Sequence, residues 1–356
     1  MISLIIVLFV AISLNSILAT SLSINKVKFN NNLSSLCTIS IITCLDNISS
    51  IQKVDSDVKK QTELILEQVN STKLKEWINN LSSFHTRHTK SDHIENVAYW
   101  IKNELETLCE NRVFFQNFTQ RDDNQTFQLK NIICSLKDST ESFPNNSTII
   151  IGAHYDSRAE NINNSEARAP GADDNASGVS AILELGILSH LNLKLNLEFV
   201  LFSEEQGKWG SNNYVKYLDD NNITKNVDLY INFDMIGYRP SNESNKVILE
   251  YDVGNKYLQN DNYSKTIALF IKHIASTYTN LQTQLAKLGN SDFLSFEALG
   301  ITVIGIHDEG VTNNPNYHKS SDTPNTLNIK YATSITKMVL ATILELDKLS
   351  QSIKSN

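Results

Sequence analysis

The sequence predicts an α/β fold, a three-layer sandwich with a mostly parallel, twisted central sheet and helices on both faces. Three observations lead there. The runs at 148–151, 196–203, 228–233 and 301–306 are apolar and bounded by polar turns, which suits strands buried on both faces. Stretches with helical spacing alternate with them, and that alternation favours parallel strands joined by helical crossovers. Residues able to do chemistry follow the strand ends, where such sheets bind their ligands.

The chain has 356 residues, of which 41% are hydrophobic, enough for one large core. Residues 1–18 are apolar and uncharged. They read as a signal peptide spanning 1–21, cleaved after Ser21 or Ala19, and the chain as secreted or periplasmic. The leading segment lacks Lys and Arg, so an uncleaved anchor is the alternative. Residues 22–60 have no clear period and read as a pro-segment or loosely ordered arm, followed by a single domain over 61–356. Four cysteines in a secreted chain imply two disulfides, and neighbour pairing gives Cys37–Cys44 and Cys109–Cys134. In a cytosolic chain they would be buried thiols. Sequons at Asn32, Asn47, Asn70, Asn80, Asn117, Asn124, Asn146, Asn222, Asn242 and Asn262 are glycan acceptors in a eukaryotic secretory pathway. The net charge is −8 without a basic run, which argues against nucleic acid as a partner.

Leu74, Trp77, Ile78 and Leu81 follow helical spacing, as do Val97, Trp100, Ile101, Leu105 and Leu108. Between them lie His85, His88 and His93, which read as exposed loop histidines. Strands are expected over 113–118 and 127–136, with a turn near 121–124. Helices are expected over 179–191, through 214–218, over 264–276 and over 329–349.

The stretch 148–178 carries His154 and Asp156 after its strand, then Asp173 and Asp174 before a helix. Its simplest structural reading is an Asx-rich loop ending in a helix N-cap. Chemistry alone does not separate Asp173 from Asp174. Glu204 and Glu205 follow the next strand, and Asp234 follows the third. His154, Asp174, Glu205, Asp234 and His318 form a ligand set able to hold two zinc ions if one carboxylate bridges. Glu204 is then free as a base. Asp156 can fix the ring of His154 or merely close a turn. Between His318 and His307 the residues themselves give no choice.

The motifs His-Tyr-Asp-Ser at 154–157, GADDNASG at 171–178, SEEQG at 203–207, INFDMIGY at 231–238 and NYHKSSDT at 316–323 occur in the order found in the M28 family of zinc aminopeptidases, which the chain resembles over about 74–346. The segment Phe84-His-Thr-Arg-His-Thr with Trp100 and Ile101 resembles the family's N-terminal helices. The resemblance implies that Asp174 bridges two zinc ions, with His154 and Asp234 completing one site and Glu205 and His318 the other. It implies Glu204 as general base for a metal-activated water and Asp156 as the residue orienting His154. Asp173 becomes a neighbour, and Asp322 has no firm role. The implied activity is hydrolysis of N-terminal peptide bonds by a monomer acting on peptides or proteins. The chain departs from the family at Phe293, where relatives often carry His, and at Leu288 and Gly289, near where some carry an oxyanion-stabilising Tyr. Alternatives on the same fold are a one-zinc glutaminyl cyclase, a carboxypeptidase and a non-catalytic module.

Overall fold

The computed structural model describes residues 56–109, 112–136, 147–204, 207–241 and 244–354. The expected signal peptide, Cys37–Cys44 bridge and nearly all of the N-terminal arm lie outside these residues.

Three helices come first: α1 (Ser56–Leu66), α2 (Ser71–Ser83) and α3 (Ile94–Cys109). Asn70 caps α2, its side-chain oxygen accepting the N–H groups of Thr72 and Lys73 at 3.0 and 3.1 Å. The apolar stripe Leu74, Trp77, Ile78 and Leu81 is buried, as helical spacing requires. A hairpin follows, β1 (Val113–Asp122) and β2 (Gln125–Leu136). The chain then runs through β3 (Thr148–His154), α4 (Gly178–Leu185), β4 (Asn196–Phe202), α5 (Trp209–Asp220) and β5 (Val227–Phe233). It continues with β6 (Lys246–Tyr251), α6 (Asp261–Tyr278), β7 (Gln282–Lys287), β8 (Thr302–His307) and the closing helix α7 (Ile329–Lys354).

The strands form one mixed sheet in the order β1-β2-β4-β3-β5-β8-β6-β7. Its centre, β4-β3-β5-β8, is parallel. The β1–β2 hairpin joins antiparallel to β4, and the parallel pair β6–β7 joins antiparallel to β8. Strands β6 and β7 were not expected from the sequence. Gln282–Lys287 alternates only weakly in burial, so it carries little strand signal.

Period-two alternation splits the central strands between two cores. Ile149, Ile151, Leu197, Phe199, Leu229 and Ile231 pack with α2, α3, α4, α6 and α7. On the other face Ile150, Val200, Phe202, Tyr230 and Val303 pack with Tyr214, Val215 and Leu218 of α5 and with Phe293 and Phe296. Tyr230 and Phe296 stack with ring centroids 3.8 Å apart. Each such side chain contributes about 1.5–3 kcal/mol by burial. The Cys109–Cys134 disulfide ties the end of α3 to β2. Among the described residues no helix is long and apolar enough to cross a membrane.

Candidate active site

The central parallel strands end side by side, and their topology gathers the chemistry at one edge. His154 is the last residue of β3, Asp234 follows β5, and Glu204 lies just beyond β4. Asp174 arrives from the irregular turn before α4, and His318 from the loop after β8.

The two imidazoles meet at one carboxylate. Asp174 Oδ1 lies 3.3 Å from His154 Nε2, and Asp174 Oδ2 lies 2.9 Å from His318 Nε2. Asp234 Oδ1 lies 3.4 Å from His154 Nε2. On the far side of the ring, His154 Nδ1 lies 3.1 Å from Asp156 Oδ1, which turns Nε2 toward Asp174 and Asp234. Asp173 faces elsewhere. Its oxygens accept the N–H of Gly237 at 2.9 Å and the amide of Asn314 at 3.0 Å. His307 also faces away, with Nε2 3.6 Å from Glu250.

A second layer of groups fixes these positions. The carboxylate of Asp322 accepts the backbone N–H of Asp173 at 3.0 Å and of Asp174 at 3.1 Å. Arg87 is completely buried. Its guanidinium donates to the carbonyls of Tyr155 at 2.9 Å, Leu81 at 3.1 Å, Pro170 at 2.5 Å and Gly171 at 2.9 Å. It thereby joins α2 to both loops that carry Asp156 and Asp174. Gly171 has φ +49°, and a Cβ there would lie 2.2 Å from the Asp174 carbonyl, so only glycine fits. Met235 and His318 also take left-handed backbone, with φ of 66° and 57°. Such conformations persist in non-glycine residues only where surrounding structure enforces them. Asp234 is held by Ser291, which donates to it at 2.7 Å and accepts from Asn232 at 3.0 Å. Tyr230 in turn donates to Asn232 at 2.6 Å.

The electrostatics follow from this crowding. Burial alone would lower the His154 pKa, but Asp156, Asp174 and Asp234 outweigh it and raise the ring well above its ordinary value. Burial opposes ionisation of Asp174, yet the two histidines hold it well below the usual carboxylate range. Glu204 is buried beside Asp156, and both effects push it up to about 7. Its oxygens accept the N–H of Gly207 at 2.8 Å and of Trp209 at 3.1 Å. Burial likewise raises Asp292 to about 7 and Asp322 to about 8.

Donor atoms of His154, Asp174 and Asp234 all lie within 4.8 Å of one another. Imidazole nitrogen and carboxylate oxygen are the donors zinc takes, and a cation would offset this concentration of buried negative charge. The residues therefore fit a zinc ion. Glu205, the remaining ligand expected from the sequence, lies outside the described residues. Sequence reasoning missed Arg87 and Ser291. Arg87 sits inside the Phe84-His-Thr-Arg-His-Thr segment, where the histidines drew attention instead. Of these, His85 is exposed and His93 half-buried, but His88 is buried, not exposed as expected, with Nε2 3.0 Å from the Ile162 carbonyl.

Comparison with known proteins gives the family and the fold. The family model described as Peptidase family M28 matches residues 131–343. The chain belongs to peptidase family M28. A protein named probable leucine aminopeptidase from Arthroderma otae is 30% identical over 281 residues, covering 75% of this chain and 70% of that protein. Leucine aminopeptidase 1 of Coccidioides posadasii is 28% identical over 309 residues, covering 82% and 75%. The zinc aminopeptidase BSAP of Bacillus subtilis shares the M28 chain's fold with a TM-score of 0.63 at 16% identity, covering 78% of this chain and 95% of that one. A glutaminyl cyclase of Fimbriiglobus ruber also shares it, with a TM-score of 0.61 at 16% identity, covering 78% and 95%.

Proposed function

We propose that this M28 chain is a secreted aminopeptidase that holds two zinc ions and hydrolyses N-terminal peptide bonds. The observation that carries the reading is the Asp174 carboxylate, which presents one oxygen to His154 and the other to His318. A bridging ligand needs that disposition. His154 and Asp234 would complete one zinc site, and Glu205 and His318 the other. Bound zinc supplies Lewis-acid polarisation of the scissile carbonyl and lowers the pKa of water. Glu204 takes the proton from the attacking water and passes it to the leaving amine. A base whose pKa lies near neutrality suits that exchange. Asp156 holds His154 in one ring orientation.

Secretion is supported by the Cys109–Cys134 disulfide, which forms in oxidising compartments. The sequon asparagines Asn70, Asn80, Asn117, Asn124, Asn222 and Asn262 are exposed and open to glycans. Asn175, also in a sequon, is buried and donates to the Phe233 carbonyl at 2.8 Å. The domain is read as one unit from 61 to 356, acting as a monomer on peptides and proteins. Metal analysis combined with aminoacyl-anilide hydrolysis, before and after chelation, tests the reading. Two zinc ions per chain and chelator-sensitive cleavage are expected. One zinc with cyclisation of glutaminyl peptides and no anilide cleavage would overturn it.

A further inference from the structure

Beside Asp174 and Asp234 opens a cavity of about 460 Å³. That is the scale of a pocket for a small ligand or a side chain. Its floor is the sheet face at β8, β6 and β7, beyond the cover of α5. Alternation along β6 decides what stands on that floor. Lys246, Ile248 and Glu250 line the cavity, while Val247 and Leu249 enter the opposite core.

Glu250 is flanked by the smallest neighbours a strand offers. It pairs with Gly305 in β8 and Ala286 in β7. A Cβ on Gly305 would lie 2.8 Å from Glu250 Oε2, so the bare glycine makes room for the carboxylate. Oε1 accepts the N–H of Gly289 at 3.0 Å, which holds the group in place. Among the described residues Oε2 has no hydrogen-bond partner. The other charges nearby are already engaged. Lys246 pairs with Glu309 at 2.7 Å. His307 Nδ1 lies 2.6 Å from the Asp308 carbonyl, and its Nε2 pairs with Glu250 Oε1 at 3.6 Å, which raises the ring above its ordinary pKa against the cost of burial and leaves Oε2 as the carboxylate oxygen open to a ligand. Met235, Ile248, Phe293 and Ile306 give the cavity apolar walls.

We propose that this cavity receives the side chain of the substrate's N-terminal residue, and that Glu250 selects lysine or arginine there. This inference rests on the aminopeptidase reading. An apolar wall ending in a carboxylate matches an aliphatic stem ending in a cation. A leucine side chain in the same place would cover an ionised carboxylate without replacing its water. Sites built around a buried polar group reject ligands that leave it unpaired. The expected preference therefore departs from the leucine named in the fungal relatives.

The test compares kcat/KM of the full-length, zinc-loaded protein on lysyl-, arginyl-, leucyl- and glutamyl-p-nitroanilide. Lysyl and arginyl substrates are expected to exceed leucyl by roughly 10²-fold, the effect of truncating one partner of a buried charge pair. Glu250→Gln should collapse that ratio by a similar factor with zinc content retained, and Glu250→Leu should reverse it. Leucyl cleavage that equals or exceeds lysyl cleavage in the unmodified protein would overturn this inference and leave the aminopeptidase reading standing. So would a glutamyl preference, which would assign the pocket to Lys246 instead. Cleavage of none of the four anilides would overturn both.

Discussion

The Asp322 carboxylate accepts the backbone N–H of Asp174 at 3.1 Å across 148 residues of sequence. The same carboxylate accepts the N–H of Asp173, so one side chain sets the turn from which the bridging candidate projects. Asp322→Asn replaces an acceptor oxygen with a donor facing these N–H groups. Zinc affinity or activity should fall about 10–100-fold, the usual effect of losing a group that orients ligands. Zinc titration beside kinetics checks this. Unchanged values would mean that the turn holds itself.

Glu204 acts on protons, not on the metal, in the proposed reaction. Glu204→Gln keeps the shape of the side chain and removes the base. A loss in kcat of roughly 10²–10⁴ is expected, with two zinc ions still bound. Single-turnover anilide cleavage and metal analysis on the same sample decide it. Full activity would remove Glu204 from the mechanism.

Arg87 holds four carbonyls with one rigid guanidinium. Lysine has the charge but not the fork, so Arg87→Lys strands buried acceptors. The expected loss of stability is about 3 kcal/mol, from broken hydrogen bonds to a charged group and unpaired carbonyls. Urea denaturation measures it. A change smaller than about 0.5 kcal/mol, typical of a surface site, would show that the clamp is dispensable.

Metal-free protein should become less stable as pH rises. Burial pushes Asp292 up to about 7 and Asp322 up to about 8 in the fold. Both return to about 3.9 in the unfolded chain. The folded state therefore binds more protons between those limits, and unfolding free energy declines with pH. The contribution is complete below about pH 4. It is lost as pH passes through the folded values of about 7 and about 8. His154, raised well above its ordinary value, acts in the same direction. Thermal melts in chelator across this range test the sign. A melting temperature that climbs with pH would contradict it.

The legible parts of the fold share one property. Ile149–Ile151, Leu197–Phe202 and Leu229–Phe233 are buried on both faces, so a mainly apolar run, interrupted only by Glu198 and Asn232, announces each strand. β6 and β7 escape because one of their faces is the floor of a cavity, where Glu250 and Gln284 replace apolar residues. The strand-end places of His154 and Asp234 are likewise readable, since topology alone puts them at one edge. The supporting groups are not. Arg87, Asp322 and Ser291 act through partners many tens of residues away, and local spacing carries no trace of such a pairing.

Arg87 has one more consequence, for where this protein can be trimmed. The stretch that matches the family model begins at residue 131. A fragment cut there would keep His154, Asp174, Asp234 and His318 but lose α2 and the guanidinium behind them. The Pro170 and Gly171 carbonyls would then lose their donor beside the turn that carries Asp174. The half of the chain that carries the candidate ligands is therefore braced by a leading segment that supplies none of them.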